Sequence, residues 1–330
     1  MARVGLVANP AAGRDIRRLT GGAVVSDNYA KRRAAASVLE GLSVHPGIEV
    51  LVAPDEAGIG EYAVSESPDE VSATLLDVPT HGTREDTRLA AARFRDETDV
   101  AVVLGGDGTV RDVVSAVGSV PLVAVSTGTN NVVPDHVDGA VAGVAAAFVA
   151  DGTVPIEEVA IRHSTVEATI AEPERKRSIR SLATMGVVDR PFVGTRAVLN
   201  GEEFVGGVVS RAGPHEIGLS GIVGGVVRHP PDAPGGVGVR LGPPDETPRT
   251  VDAVTVPGVL EPVGVADYRL LDDGEEFVFE VETGVVSVDG ERDVEVTDAE
   301  VAMSPSADGP YVVQVERTLA AAADRGGFDV

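Results

Sequence analysis

Residues Val100 to Arg111 read VAVVLGGDGTVR. An apolar run, Val100 to Leu104, stops at Gly105-Gly106-Asp107-Gly108-Thr109, and a helix-compatible stretch, Val110 to Val117, follows. A buried strand that enters a helix through glycines makes an anion site. Without Cβ atoms in the way, phosphate oxygens can approach backbone N–H groups, and the helix dipole favours negative charge there. Asp107 is the oddity in such a turn. Its carboxylate would repel phosphate unless it works with Mg²⁺ or takes a proton from an attacking hydroxyl. That combination points to phosphoryl transfer. A generic strand-to-helix loop capped by Thr109 is the plainer reading. It leaves the paired glycines and the Asp unexplained.

Two further loops carry polar or small residues after a strand. Asn9-Pro10-Ala11-Ala12-Gly13-Arg14 would let a nucleotide lie against the backbone, with Arg14, Arg17 and Arg18 in reach of phosphates. The alternative is a plain turn with a solvated basic cluster. Ser126-Thr127-Gly128-Thr129-Asn130-Asn131 offers hydroxyls and amides, and amides both donate and accept, as binding to ribose and base edges requires. A capped turn is the alternative there. Asp289-Gly290 between alternating valines reads as a hairpin turn, and an added role for Asp289 or Glu291 at the site stays open. The six histidines show no ligand spacing, so no metal site is proposed. His45, His136, His163 and His229 are expected at the surface or in loops. There is no Walker-type loop, and Arg111 stands where a Rossmann fingerprint would place its last glycine, which argues against hydride transfer.

The elements that must position these loops alternate in type. Arg3–Ala8, Ile48–Ala53, Ala73–Val78, Asp99–Leu104 and Pro121–Ser126 read as strands. Asn28–Leu42, Thr83–Glu97 and His136–Ala150 read as helices. Strands separated by helices imply a parallel sheet, with ligands at the carboxyl ends of its strands. After Asp151-Gly152 the pattern changes to short alternating runs rich in Val, Gly and Pro, such as Val278–Val281 and Val285–Val288, which read as β structure. The stretch Arg228–Pro248 reads as a surface excursion, Pro310–Glu316 as a strand and Thr318–Asp324 as a closing helix. The expected division is therefore 1–150, an α/β nucleotide-binding domain; 151–305, a β-rich domain; and 306–330, a segment returning to the first domain.

Composition narrows the function classes. The chain has 330 residues, with 52 acidic against 27 basic side chains and a net charge of −25. Lys31 and Lys176 are its only lysines; the other basic residues are arginine. An acidic surface nearly without lysine, with 3% aromatic residues, reads as adaptation to high salt, where screening weakens self-repulsion. Such a charge argues against nucleic acid and anionic membrane as partners. Zero cysteines exclude disulfides and thiolate chemistry. No apolar run is long enough to span a bilayer, and the N-terminal MARVGLVANP lacks a signal peptide's apolar core. A cytoplasmic homo-oligomer is expected.

Taken together, the loops resemble the NAD kinase and diacylglycerol kinase superfamily, and in particular its ATP-NAD kinase-like branch that includes the AcoX-type acetoin-catabolism proteins. The matching motifs are Asn9–Gly13, Gly82-Thr83-Arg84-Glu85-Asp86-Thr87, Gly105–Thr109 and Thr127–Asn131, with weaker matches at Asp189–Gly194 and Ile217–Gly225. The Asp289-Gly290-Glu291 turn is similar to one near the nucleotide site of related lipid kinases. The resemblance implies an α/β fold: an N-terminal parallel-sheet α/β domain followed by a mainly β domain, as in NAD kinases. It implies Asp107 as the carboxylate near the reacting hydroxyl, with Gly105, Gly106, Gly108 and Thr109 holding phosphates. It also implies Asn130 and Asn131 on the nucleotide substrate, with Asn9, Gly13, Arg14, Thr127, Gly128 and Thr129 completing the binding set. ATP or polyphosphate and Mg²⁺ would be the cofactors, and NAD, phosphorylated at its 2′-hydroxyl to NADP, the substrate. One departure stands out: where NAD kinases commonly carry an Asn-Glu pair, this chain has Asn130-Asn131. A kinase of another small hydroxyl substrate, or a nucleotide-binding regulator without turnover, are the alternatives.

Overall fold

The apolar runs of the N-terminal half are apolar on both faces, and this suits them to the interior of a parallel sheet. The computed structural model describes residues 2–12, 27–127, 131–189 and 204–329. In chain order, β1 (Arg3–Ala8), helix α1 (Asn28–Leu42), β2 (Glu49–Val52), α2 (Ile59–Ser65), β3 (Ser72–Leu75) and α3 (Arg84–Glu97) lead to β4 (Val100–Gly105). Helix α4 (Asp107–Val117), β5 (Leu122–Ser126), α5 (Gly139–Ala150), the single turn α6 (Ile156–Val159) and β6 (Ala160–Arg162) follow. Every residue of β4 is buried. Helix starts are specified locally. Asp27 caps α1 through the Ala30 N–H, and Thr83 caps α3 in a reciprocal box with Asp86. Asp86 Oδ2 accepts from the N–H groups of His81, Gly82 and Thr83, so the Gly82–Thr87 motif builds a helix entrance.

The described residues divide into two units, one built from those up to Ile161 and from Pro310 onward, the other spanning Arg162–Gly309. In the first unit the strand order is β3-β2-β1-β4-β5-β16-β6, where β16 is Tyr311–Val313, followed by α8 (Val315–Asp324). The pairings of β1 with β2 and β4, of β2 with β3, and of β5 with β4 and β16 are parallel. Parallel pairing puts the carboxyl ends of β1, β4 and β5 at one edge, side by side. Valines and leucines of the strands pack with Leu39, Leu42 and Phe148 of the covering helices in one apolar core.

The second unit contains β7 (Thr165–Glu172), β8 (Arg175–Ser181), β9 (Thr184–Val188), β10 (Phe204–Val209), the short α7 (Leu219–Gly224), β11 (Gly236–Gly242), β12 (Arg249–Val256), β13 (Val259–Leu271), β14 (Phe277–Val288) and β15 (Glu291–Ser306). They form one antiparallel sheet in the order β12-β13-β11-β10-β9-β14-β15-β7-β8. The fold is thus a parallel α/β unit joined to a largely antiparallel β unit. At the β14–β15 turn, Asp289 adopts φ 50°, and its carboxylate accepts from the N–H groups of Leu182, Ala183 and Thr184. Its observed work is to clamp the β8–β9 connection. Among the described residues no helix is long and apolar enough to cross a membrane.

Two sequence readings are corrected here. Arg228–Pro248 is not simply a surface excursion, because it contains β11, an interior strand between β10 and β13. The glycines that resembled loop residues make room for packing: a Cβ on Gly238 would lie 2.5 Å from the Phe277 ring. The two valine runs at 278–281 and 285–288 belong to a single strand, β14. His163 and His229 stand outside the named strands and helices, as expected of loop residues, and both are buried. Burial, with Arg211's charge nearby, holds the His163 imidazole down at about 3, and burial likewise lowers His229.

His163 stays neutral in the fold, whereas an unfolded chain protonates it near about 6.5. Its contribution is fully present above that pH and is lost as pH falls toward 3, on the order of 5 kcal/mol in all. Replacing it by a polar group that does not titrate, His163→Asn, should flatten the acid limb of a urea-unfolding pH profile between these limits. An acid limb as steep as that of wild type would show that His163 accepts its proton in the folded state.

Candidate active site at the strand ends

Strand β4 runs into Gly105, and Gly106 takes an extended conformation (φ −106°, ψ −175°) as the N-cap of α4. The helix begins at Asp107 rather than at Val110, so Asp107, Gly108 and Thr109 form its first turn instead of a loop before it. The carbonyl of Gly106 accepts from the N–H groups of Thr109 and Val110, both at 3.0 Å. An acidic side chain in the first turn suits the helix dipole, which removes one objection to starting there.

The three glycines of the turn differ in what requires them. A Cβ on Gly105 would sit 2.5 Å from the Thr109 Cβ, and one on Gly106 would sit 2.8 Å from Asn131 Oδ1. Both are excluded by the protein itself. A Cβ on Gly108 would meet nothing within 4 Å among the described residues. Glycine inside a helix costs about 1 kcal/mol relative to alanine, so the fold gives no reason for it. A space at a helix N-terminus that any side chain would fill suits an anionic group of a ligand.

Asp107 is 5% exposed. Its Oδ2 accepts from the Val132 N–H at 2.8 Å and its Oδ1 from the Val133 N–H at 3.0 Å. The carboxylate therefore ties the start of α4 to the segment after β5. That segment is bound back at other points too. The Thr127 N–H donates to the Gly105 carbonyl at 3.1 Å, and Asn131 Nδ2 donates to Ser126 Oγ. Thr127 Oγ1 is buried with no hydrogen-bond partner among the described residues.

The β1 loop reaches the same turn. Asn9 donates its N–H to the Leu104 carbonyl at 3.1 Å and its Nδ2 to Thr109 Oγ1 at 2.9 Å, while its Oδ1 accepts from the Ala11 N–H at 2.8 Å. With its oxygen accepting from Asn9, Thr109 keeps its hydroxyl proton as a donor. Lys31, on α1, is 1% exposed and donates from Nζ to the carbonyls of Pro10 at 2.8 Å and Ala12 at 2.6 Å. The sequence reading passed over this residue, although its being one of two lysines was a usable signal. Behind the turn, Arg88 on α3 pairs with Asp112 on α4 at 3.0 Å.

The structure thus brings Asn9, Gly105, Gly106, Asp107, Thr109, Thr127 and Asn131 into one hydrogen-bonded and packed set, with Gly108 on its open side. Gly13, Arg14, Arg17, Arg18, Gly128, Thr129, Asn130 and residues 190–194 lie outside the described residues. Among the described residues no three His, Asp or Glu side chains are grouped to hold a metal ion. Mg²⁺ needs fewer protein ligands than that when substrate phosphates share it, and Asp107 is the carboxylate at hand.

Comparison with known proteins matches residues 4–153 to the ATP-NAD kinase N-terminal domain and residues 165–308 to the acetoin catabolism protein X C-terminal domain. The chain is 31% identical over 302 residues to Acetoin catabolism protein X of Cupriavidus necator, covering 88% of this chain and 84% of that protein. It is also 31% identical over 135 residues to an uncharacterized protein of Archaeoglobus fulgidus, covering 40% of this chain and 36% of that one. Among solved structures, yeast NADH kinase complexed with NADH superposes with a TM-score of 0.53 at 14% identity, covering 100% of this chain and 88% of that chain. That likeness is one of fold.

The open side of Gly108 yields a discriminating test. Gly108→Ala should leave the melting temperature unchanged or raise it, by up to about 1 kcal/mol of stability. The same change should weaken binding of a nucleoside triphosphate measured by calorimetry. Undiminished binding in the variant would place the ligand elsewhere.

Proposed function

The chain belongs to the acetoin catabolism protein X family, with an ATP-NAD kinase N-terminal domain, and from that premise we propose that it phosphorylates the 2′-hydroxyl of NAD to give NADP. ATP or polyphosphate is the donor. The observation that carries this reading is the first turn of α4: Gly108 leaves room at a helix N-terminus, beside a buried carboxylate and the Thr109 hydroxyl. The N–H groups of that turn and Thr109 hold the phosphates, and Asn9, Gly105, Gly106, Thr127 and Asn131 shape the turn around them. Gly13, Arg14, Gly128, Thr129 and Asn130 belong to the same binding set. Mg²⁺, when bound with the nucleotide, neutralises phosphate charge.

In the transfer, the bond between the terminal phosphorus and its bridging oxygen breaks, and a new bond forms from that phosphorus to the acceptor oxygen. The hydroxyl proton leaves toward Asp107. A carboxylate is a weak base for an alcohol, so its contribution lies in orienting the hydroxyl and in taking the proton late. Positioning supplies much of the rest. The two N–H groups of Val132 and Val133 fix where that carboxylate stands. The reading takes the protein as a cytoplasmic homo-oligomer working in concentrated salt, where screening offsets the self-repulsion of its −25 charge.

A kinase of another small hydroxyl substrate is the second reading. It is favoured by Asn130-Asn131 standing without a Glu, and by the use of the Asn131 amide within the protein, on Ser126.

The experiment is an NADP-formation assay in molar KCl with Mg²⁺ and NAD, supplied separately with ATP and with polyphosphate. Wild type should form NADP, and Asp107→Asn should lose at least about a hundredfold in turnover. The variant should also lose on the order of 1–3 kcal/mol of stability, because an amide offers one oxygen to two N–H groups. A folded Asp107→Asn protein with near-normal turnover would remove Asp107 from the reaction. Nucleotide binding without NADP would shift the acceptor to another small hydroxyl compound. Binding without phosphoryl transfer to any acceptor would make the protein a regulator.

A further inference from the structure

Building on the kinase reading, we infer that Lys31 is a positioning residue for the phosphate site, acting through the β1 loop and Asn9 on Thr109. Lysine is among the side chains least often fully buried, and this chain places arginine at nearly every other basic position. On a surface either residue would serve. At Lys31 the requirement is specific: a compact ammonium with its N–H donors between two carbonyl oxygens of one turn, 2.8 and 2.6 Å away. A planar guanidinium does not fit that role.

The contact has a directional consequence. Lys31 gathers the Pro10 and Ala12 carbonyls to the inner side of the loop, against α1. Carbonyl oxygens facing an anionic ligand would repel it, and the buried ammonium holds these two away. Between those residues, the Ala11 N–H is fixed on Asn9 Oδ1, which orients the Asn9 amide so that Nδ2 donates to Thr109 Oγ1. Asn9 makes the Thr109 oxygen an acceptor and thereby releases the hydroxyl proton toward a phosphate. The relay has three links: ammonium to loop carbonyls, loop to Asn9, Asn9 to Thr109. A buried cation is also weakly screened by salt, so its effect should persist in the concentrated salt that this composition suits.

The test uses the full chain in molar KCl with Mg²⁺, and calorimetric titration with ATP and with AMP. The variants are Lys31→Met, Lys31→Arg and, as a control on the edge strand β8, Lys176→Met. Both Lys31 variants should weaken ATP binding by about tenfold or more, the scale of one hydrogen bond to a charged group. The loss should be larger for ATP than for AMP, and amide exchange at Ala11, Ala12 and Thr109 should quicken. Lys176→Met should bind both nucleotides as wild type does. Equal losses for ATP and AMP would make Lys31 a stabiliser of the fold alone and overturn the inference, as would unchanged ATP affinity in a folded Lys31→Met protein. If Lys31→Met does not fold, Asn9→Asp decides. It keeps an acceptor for the Ala11 N–H but cannot donate to Thr109, and unchanged ATP affinity there breaks the relay. A wild type that binds neither nucleotide overturns this inference and ATP as the donor together. A wild type that binds, with unaffected variants, overturns this inference alone.

Discussion

A single buried carboxylate organises the edge where this protein's chemistry-bearing residues meet. Asp107 accepts the N–H groups of Val132 and Val133 while standing in the first turn of α4. A carboxylate taken out of water has to be met by donors, and backbone N–H groups are the donors supplied here. The bond therefore joins the start of a helix to a segment that returns after the neighbouring strand. Gly106 can lie under Asn131, and Thr127 can reach the Gly105 carbonyl, only with that segment in place. The same residue is the one with the chemistry to assist an attacking hydroxyl, so its structural and functional demands coincide.

The turn around it separates two reasons for conserving space. Gly105 and Gly106 are small because Thr109 and Asn131 already occupy the room a side chain would need. Gly108 has none of the described residues beside it. Steric necessity accounts for the first two and says nothing about ligands. The third has no steric cause, and a glycine retained in a helix against its propensity is the feature that most directly suggests an absent group. Lys31 presents the complementary case in charge: a buried cation that holds two backbone carbonyls of a loop.

The fold class was legible because its signals are local and strong. Apolar runs of strand length between helix patterns specify a parallel sheet, and alternating valines specify antiparallel strands. The capping box at Thr83 and Asp86 was present in the sequence as a motif, although its role in starting a helix emerges from the hydrogen bonds to Asp86. Misreadings arose where tertiary packing overrides propensity. Gly236–Gly242 is rich in glycine, with the Phe277 ring packed where a side chain on Gly238 would stand and the Val209 carbonyl where one on Gly236 would stand, and it is nonetheless an interior strand. The helix at Asp107 starts early because Gly106, rather than Thr109, serves as its N-cap.

By itself, the sequence determined most strands and helices of the N-terminal half, though not the short helix Ile59–Ser65, and it determined that glycines and an aspartate follow β4 and that polar loops follow β1 and β5. These are properties of neighbouring residues, and the spacing of apolar side chains encodes them. Only the tertiary structure decided that β1, β4 and β5 lie side by side, so that Asn9 meets Thr109 across 100 positions of sequence and Asp107 meets Val132 across 25. It alone decided which glycines are sterically required and that Lys31 points inward. Contacts between distant segments depend on strand order and on where each carbonyl and N–H group finds its partner, and residue type along the chain carries no direct record of either.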